Sequence, residues 1–275
     1  MKIRGHEVLW HPGASFEEWV ANPRTGGIPL LAPWANRLEG DFFQANGKRH
    51  ALKPVLGNLA RDANGLPIHG LLRYASQWQT IHQDQSSVTS RLDFWRVPDW
   101  MQQFPFGHAL EVTHRVSEEG LEVRLTVENQ SSERLPVSFG WHPYFRLTDS
   151  PRDEWRMRIA AREQVVLSDR MLPTGERKPN PFPDPCPLHG RSFDDQFTTL
   201  TRQDFAILGR EQKLSVRFGP RYPVATVYTP SDSQFVCIEP MTAETNALNR
   251  EGAQIQNIAP GAAWSESFWV IPEGF

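Results

Sequence analysis

The 275-residue chain has only two cysteines, Cys186 and Cys237, which cannot supply a disulfide framework or a four-cysteine zinc site. It also lacks any apolar run of the roughly 18 residues that a membrane-spanning helix needs. The opening MKIRGHEVLWHP has no apolar stretch of the kind that marks a secretion signal, so a cytoplasmic protein is expected, with no membrane partner. Basic excess is missing too: 29 Lys and Arg stand against 32 Asp and Glu, for a net charge of −3. That balance speaks against a nucleic-acid partner, and no block of like charge suggests an interaction tail. No stretch keeps a helical period over three turns. Phe16-Glu17-Glu18 supports at most a single turn within Ser15 to Val20. Without alternating β and α units, a doubly wound sheet is excluded.

Short alternating segments fill the chain instead. Leu121 to Asn129 is strictly period-two and predicts a half-buried strand ending in the turn Gln130-Ser131-Ser132. Similar runs are Ser87 to Phe94, Leu110 to Val116, Met157 to Ala160, Lys213 to Phe218, Val224 to Tyr228 and Phe268 to Ile271. The 23 prolines and 19 glycines punctuate nearly every junction. With no repeat and no composition break, the expectation is one all-β domain over residues 1–275, a large antiparallel sandwich or barrel. Pro179 to Pro187, with five prolines in nine residues, reads as a rigid loop inside that domain. The 10 tryptophans have two readings, core filler and sugar-stacking surface, and core filling is preferred because Trp buries a large area wherever it sits. Asn129-Gln130-Ser131 matches the glycosylation triplet, which has no meaning without secretion.

Five segments carry more polar or charged content than a sheet requires. Val236-Cys237-Ile238-Glu239-Pro240 places one carboxylate at the end of an apolar run, and Pro240 is expected to stop strand pairing there. A buried Glu must be paired or working, so Glu239 is a candidate general base beside the reading of a salt-bridged structural Glu. Cys237, inside the apolar run, reads as a small buried hydrophobe. Gly26 to Leu38 ends a constrained backbone on Asn36-Arg37, an amide and a guanidinium suited to hydroxyls or carboxylates; a structural ion pair is the alternative. Pro67-Ile68-His69-Gly70 puts a histidine before a glycine that permits a sharp turn or a close ligand, or His69 is a satisfied loop residue. His142 lies in the aromatic run Phe139 to Phe145, tuned by a neighbour or simply buried. Ser192 to Phe197 holds Asp194 and Asp195, of which an extended backbone lets at most one face any cleft. There is no His-x-His, no His-Glu-x-x-His, no glycine-rich phosphate loop and no Gly-x-Ser-x-Gly elbow, so neither a metal nor another cofactor is expected. An acid, two histidines, an Arg and an Asp on an all-β frame suit proton transfer on a neutral polyhydroxy molecule.

Taken in order, these segments resemble the aldose 1-epimerase (galactose mutarotase) family. The matching pieces run from Gly27-Ile28-Pro29 and Asn36-Arg37-Leu38-Glu39-Gly40 through His69-Gly70 and His142-Pro143-Tyr144-Phe145. They continue with Leu172-Pro173-Thr174-Gly175-Glu176, Phe193-Asp194-Asp195-Gln196-Phe197, Val236-Cys237-Ile238-Glu239-Pro240 and Ile258-Ala259-Pro260-Gly261. The resemblance implies a β-supersandwich and interconversion of the α and β anomers of a free sugar, a hexose. It implies that Glu239 takes the proton of the anomeric hydroxyl, that His142 protonates the ring oxygen, and that His69 stands near that oxygen. Asn36, Arg37 and Asp194 match positions that hold sugar hydroxyls. A raised pKa on His142, helped by a nearby carboxylate, would suit the acid role. Before Gly26 the chain is shorter than the family's usual opening.

Three other readings compete. A hexose-6-phosphate mutarotase needs a cluster of basic groups at the pocket, for which Arg73, Arg146 and Arg177 are available. A glycosidase would use Asp194 and Glu239 as its carboxylate pair. A non-catalytic carbohydrate-binding domain would need no acid–base pair at all.

Overall fold

The strict alternation of Leu121 to Asn129 becomes the strand Gly120–Asn129, with Leu121, Val123, Leu125 and Val127 turned into the core. A computed structural model describes residues 1–13, 15–21, 24–201 and 204–275. Among them, Gly120–Asn129 pairs antiparallel with His108–Ser117 on one side and Ala263–Glu273 on the other. Ser87–Asp93, Gln79–Gln83, Lys213–Phe218, Asp204–Leu208, Arg156–Arg158 and Cys186–Pro187 extend this sheet to nine strands.

A second sheet, of eight strands, carries the chemistry-bearing segments. Its order is Pro173–Pro179, Ala161–Leu167, Phe193–Leu200, Val224–Thr229, Val236–Met241, Gly140–Trp141 and Leu30–Leu31, with Tyr144–Phe145 also on Val236–Met241. The inner faces of the two sheets meet in one buried cluster that joins Val123, Leu125 and Val127 to Phe197, Val227, Val236 and Ile238. The expected all-β architecture of antiparallel sheets is the one observed. None of the helices among the described residues is long and apolar enough to cross a membrane.

Differences from the sequence reading have local causes. Pro240 does not end its strand. It pairs with Ala225, and the strand runs on to Met241. A proline withholds one donor, and a single missing ladder bond is tolerated in a strand flanked on both sides. Pro173–Pro179 escaped notice because it is exposed nearly throughout and has no apolar face to betray it. The proline-rich stretch is a crossover, leaving Pro179 in one sheet and reaching Cys186–Pro187 at the edge of the other. The expected turn after Ser15 is the six-residue helix Phe16–Ala21, and a second short helix, Pro98–Gln103, starts on a proline and buries Trp100. Asn129 is buried, its amide donating to the carbonyls of Glu133 and Ile258, so the glycosylation triplet is a structural turn.

The chain before Gly26 covers part of the second sheet. Leu9 bridges Phe145, the Trp10 N–H donates to Tyr144 O, and the Gly27 N–H donates to Trp10 O. The loop that presents His69 is pinned even more closely. Gly70 has φ +62°, and a Cβ there would lie 2.1 Å from the carbonyl oxygen of Ala32. The glycine therefore serves a close approach of backbone to backbone. Gly65 also has positive φ but faces open space. Gly70→Ala should destabilise the protein clearly more than Gly65→Ala, whose cost is held to the ~1–2 kcal/mol of left-handed strain. Equilibrium urea unfolding of both variants measures the difference, and equal losses would remove the steric role given to Gly70.

Candidate active site

Strand register assembles the candidate residues in rows across the second sheet. Tyr144 pairs with Cys237 and Gly140 with Met241, so the same register places His142 across from Glu239 where the ladder is interrupted at Pro143. Glu239 pairs in turn with Thr226, and Thr226 with Gln196. One row therefore reads His142, Glu239, Thr226, Gln196. The next reads Tyr144, Cys237, Tyr228, Asp194. Period-two alternation turns both rows to one face, while Val236, Ile238 and Val227 face the core. The apolar spelling of Val236 to Ile238 conceals this parity, because Cys237 is as buried as its neighbours.

On this face lies a cavity of about 250 Å³. Its lining includes all six residues singled out from sequence: Asn36, Arg37, His69, His142, Asp194 and Glu239. The His142 Nε2 and Glu239 Oε1 atoms are 3.2 Å apart, with both side chains buried. Glu239 Oε2 and His142 Nδ1 are buried with no hydrogen-bond partner in the protein. The His142 ring stacks on Tyr144 at 4.6 Å and meets the His69 ring edge-on at 5.3 Å. Asn36 and His69 both adopt positive φ, and the His69 N–H donates to Asn36 O at 2.9 Å. Two side chains of the pocket are thus held on strained backbone by each other's loop.

Arg37 is fixed from three directions. Its Nε donates to Asp62 Oδ2 at 2.7 Å, Nη1 to Asn36 Oδ1 at 2.9 Å and Nη2 to Asp194 Oδ2 at 3.3 Å. The same Asp62 accepts the N–H groups of Asn64 and Leu66. Asp195 turns away from the pocket and accepts a hydrogen bond from Gln164, as an extended backbone requires of adjacent aspartates. Trp34 and Trp141 are core residues, with Trp141 Nε1 donating to Tyr222 Oη.

Burial dominates the electrostatics. It drives Glu239 well above the usual carboxylate range, and the nearby Asp194 pushes the same way against Arg37. Burial also drives His142 far below an ordinary imidazole, with Arg73 adding to the effect. The direction for His142 is the opposite of the sequence expectation: desolvation outweighs the neighbouring carboxylate. His69 is lowered by burial, then by His142, Arg73 and Arg37. Both directions favour the uncharged forms, a protonated Glu239 and a neutral His142, whose Oε1 and Nε2 atoms lie close enough to share that proton.

Sequence reading passed over Thr25, Arg61, Asp62, Ile68, Tyr144, Thr226 and Tyr228, which also line the cavity. Tyr144, Thr226 and Tyr228 were legible in principle from strand parity relative to His142 and Glu239. Asp62 carried no signal, since its partner Arg37 is 25 residues away. Of the three arginines raised for a phosphate, only Arg73 reaches the cavity. Arg146 donates to Glu7 O, and Arg177 is paired with Glu244.

The fold is shared with solved galactose mutarotase-like proteins. The one from Clostridium acetobutylicum superposes with a TM-score of 0.84 at 21% identity, over 98% of this chain and 86% of that one. Galactose 1-epimerase from Lactobacillus acidophilus NCFM gives 0.70 at 14% identity, over 99% and 87%. The uncharacterized protein YphB of Escherichia coli K12 is 25% identical over 248 residues, 84% of this chain and 78% of that protein. The model of the aldose 1-epimerase family matches residues 2–269, and the chain belongs to that family.

Asp62 offers a direct test of the arginine clamp. Burial alone would raise its pKa, but the N–H of Leu66 and the Arg37 guanidinium more than offset this, leaving it lowered. A lowered folded pKa contributes stability above the unfolded value and loses it as pH falls. Asp62→Asn should therefore cost about 2 kcal/mol at neutral pH. The gap to wild type in urea unfolding should narrow as the pH is taken below the carboxylate range. A gap independent of pH would show that Asp62 acts without its charge.

Proposed function

We propose that the protein is a mutarotase that interconverts the α and β anomers of a free hexose. The observation that carries this reading is the buried Glu239–His142 pair, 3.2 Å apart on the floor of a polar cavity. The cavity volume of about 250 Å³ lies below the roughly 300–1,000 Å³ typical of drug-sized ligands, which suits a single sugar ring. Family membership supports the reaction class. The continuous core supports treating residues 1–275 as one domain, and the cytoplasm is the compartment that fits two free, buried cysteines.

In the forward direction Glu239 takes the proton of the anomeric hydroxyl while His142 delivers one to the ring oxygen. The C1–O5 bond breaks and the open-chain aldehyde forms. Rotation about C1–C2 turns the other face of the carbonyl to the C5 hydroxyl. Glu239 then returns its proton to O1, and His142 recovers the one on O5. The pair carries one proton throughout: burial rests it on Glu239, transfer across the 3.2 Å contact charges His142 for ring opening, and ring opening returns a proton to the carboxylate side. Held in place, both groups act in one encounter, which contributes far more than either acting from bulk solution. His69, beside His142, stands near the ring oxygen. Asn36, Arg37 and Asp194 hold sugar hydroxyls.

A second reading, a hexose-6-phosphate substrate, is favoured by one observation. Arg73 lines the cavity with no carboxylate partner among the described residues, its guanidinium lying over the Tyr74 ring at 5.1 Å. Asp194, already engaged by Arg37, is better placed to hold a hydroxyl than to serve as half of a glycosidase pair.

The test is anomer exchange of glucose and galactose, free and 6-phosphorylated, followed by NMR. Wild type should accelerate exchange, and Glu239→Gln should lose about 10²–10⁴-fold. Undiminished activity in that variant, or no acceleration of any sugar by folded wild type, would overturn the reading. Faster exchange of a 6-phosphate that disappears in Arg73→Ala would select the second substrate.

The pH profile is a separate check. A second proton on the pair leaves His142 unable to accept from O5, and loss of the single proton leaves no acid. Because His142 is lowered, the acid limb of kcat/KM in chelator-treated buffer should fall well below the ordinary imidazole value of about 6.5. Because Glu239 is raised, the alkaline limb should lie above the ordinary carboxylate value of about 4.3. An acid limb near 6.5 would show that His142 titrates as if exposed.

A further inference from the structure

Cys237 is a buried thiol beside the candidate site that the proton-transfer scheme leaves idle. It shares the pocket-facing side of its strand with Glu239, two residues on, and sits in register with Tyr144. It does not line the cavity itself and packs with Tyr144 and Phe235. One ligand atom each from His142, Cys237 and Glu239 falls within 4.8 Å of the others. All three residues are buried, and two of their polar atoms, His142 Nδ1 and Glu239 Oε2, have no protein partner. Buried polar atoms without partners are uncommon, and two in one cluster point to something that the cluster is able to take.

We propose that His142, Cys237 and Glu239 form a binding site for a thiophilic divalent cation, zinc foremost, and that its occupation switches off the acid–base pair. An imidazole nitrogen, a thiolate and one carboxylate oxygen are a donor set that suits zinc and not calcium or magnesium. Three protein ligands leave a fourth coordination position free, and His142 and Glu239, which line the cavity, give the ion its route of entry. The ion is an exchangeable inhibitor and not a resident cofactor. It claims the lone pairs that the ring-opening step needs. Binding involves no change of oxidation state: metal–nitrogen, metal–sulfur and metal–oxygen bonds form. The thiol proton and the proton shared by Glu239 and His142 leave to solvent, which balances the two charges of the ion. No sequence motif announces the site, because the third donor, His142, is distant in the chain and lies between the strands Gly140–Trp141 and Tyr144–Phe145.

The inhibitory half of this proposal rests on the acid–base reading above, whereas the binding half does not, and the test separates them. Chelator-treated full-length protein is titrated with Zn²⁺ by calorimetry and with Co²⁺ by absorption spectroscopy. One zinc per chain and a thiolate-to-cobalt charge-transfer band are expected, with anomer exchange lost on zinc addition and restored by EDTA. Cys237→Ala should exchange anomers like wild type without metal, lose the band, and bind zinc at least roughly 10-fold more weakly. Cys237→Ser serves as the second variant should the alanine variant fold poorly, as judged by circular dichroism. If neither folds, His142→Ala removes a different ligand of the same cluster. The proposal is overturned if wild type shows no saturable zinc binding, or if zinc binds as tightly to the folded variants. A band that survives in the cysteine variants assigns the metal to Cys186 and overturns it equally. Zinc that binds at the cluster of an active enzyme without slowing exchange overturns the inhibitory half alone.

Discussion

A carboxylate and an imidazole facing each other inside a sheet are the constraint around which the rest of this structure is arranged. Each is costly to remove from water, at several kcal/mol per ion if charged. The Glu239 and His142 side chains lie 3.2 Å apart, close enough to share one proton, and with a single proton the buried pair carries no net charge. Burial then sets both shifts, upward for the acid and downward for the imidazole. A pair with well-separated, ordinary pKa values would sit as a fixed ion pair or dissociate. In this pair burial reverses the ordinary order of the two groups, so that a shared proton rests on Glu239, one 3.2 Å contact from His142.

The fold delivers this geometry through register, not through the loops that usually carry function. His142, between two short strands, is opposed to Glu239 because the pairs on either side of it, Gly140 with Met241 and Tyr144 with Cys237, share one register. A one-residue slip would turn Glu239 into the core and Ile238 into the cavity. The nine-stranded sheet holds that register from behind, through the apolar layer shared by the two inner faces. The loops add the second wall of the pocket. Asn36 and His69 occupy left-handed backbone, Gly70 lies against Ala32, and Arg37 is tied down by Asp62 and Asp194.

The same arrangement exposes the site to a metal. The parity that brings Glu239 to the pocket face brings Cys237 with it, and the cross-strand contact supplies the nitrogen. Arg73, with no carboxylate partner among the described residues, adds a positive charge to the cavity lining. Arg73 lines the cavity and Cys237 packs against Tyr144, which lines it, and a reading for hydroxyl-binding groups passes over both.

What the sequence by itself determined was local. Period-two alternation in Leu121 to Asn129 and its like marked strands, the lack of helical period excluded a layered α/β fold, and the order of Asn36-Arg37, His69, His142, Asp194 and Glu239 pointed to the family. Tertiary structure decided the rest. Alternation is invisible where both faces of a strand are buried, so Val236 to Met241 read as a uniform apolar run that Pro240 should end, and Pro173–Pro179, exposed nearly throughout, did not register as a strand. The clamp on Arg37 joins residues 25 and 157 positions apart, a separation at which a single sequence carries no trace of contact. The protonation of His142 was misjudged for the same reason. A pKa answers to how much water a group has lost, and only the packed sheet decides that.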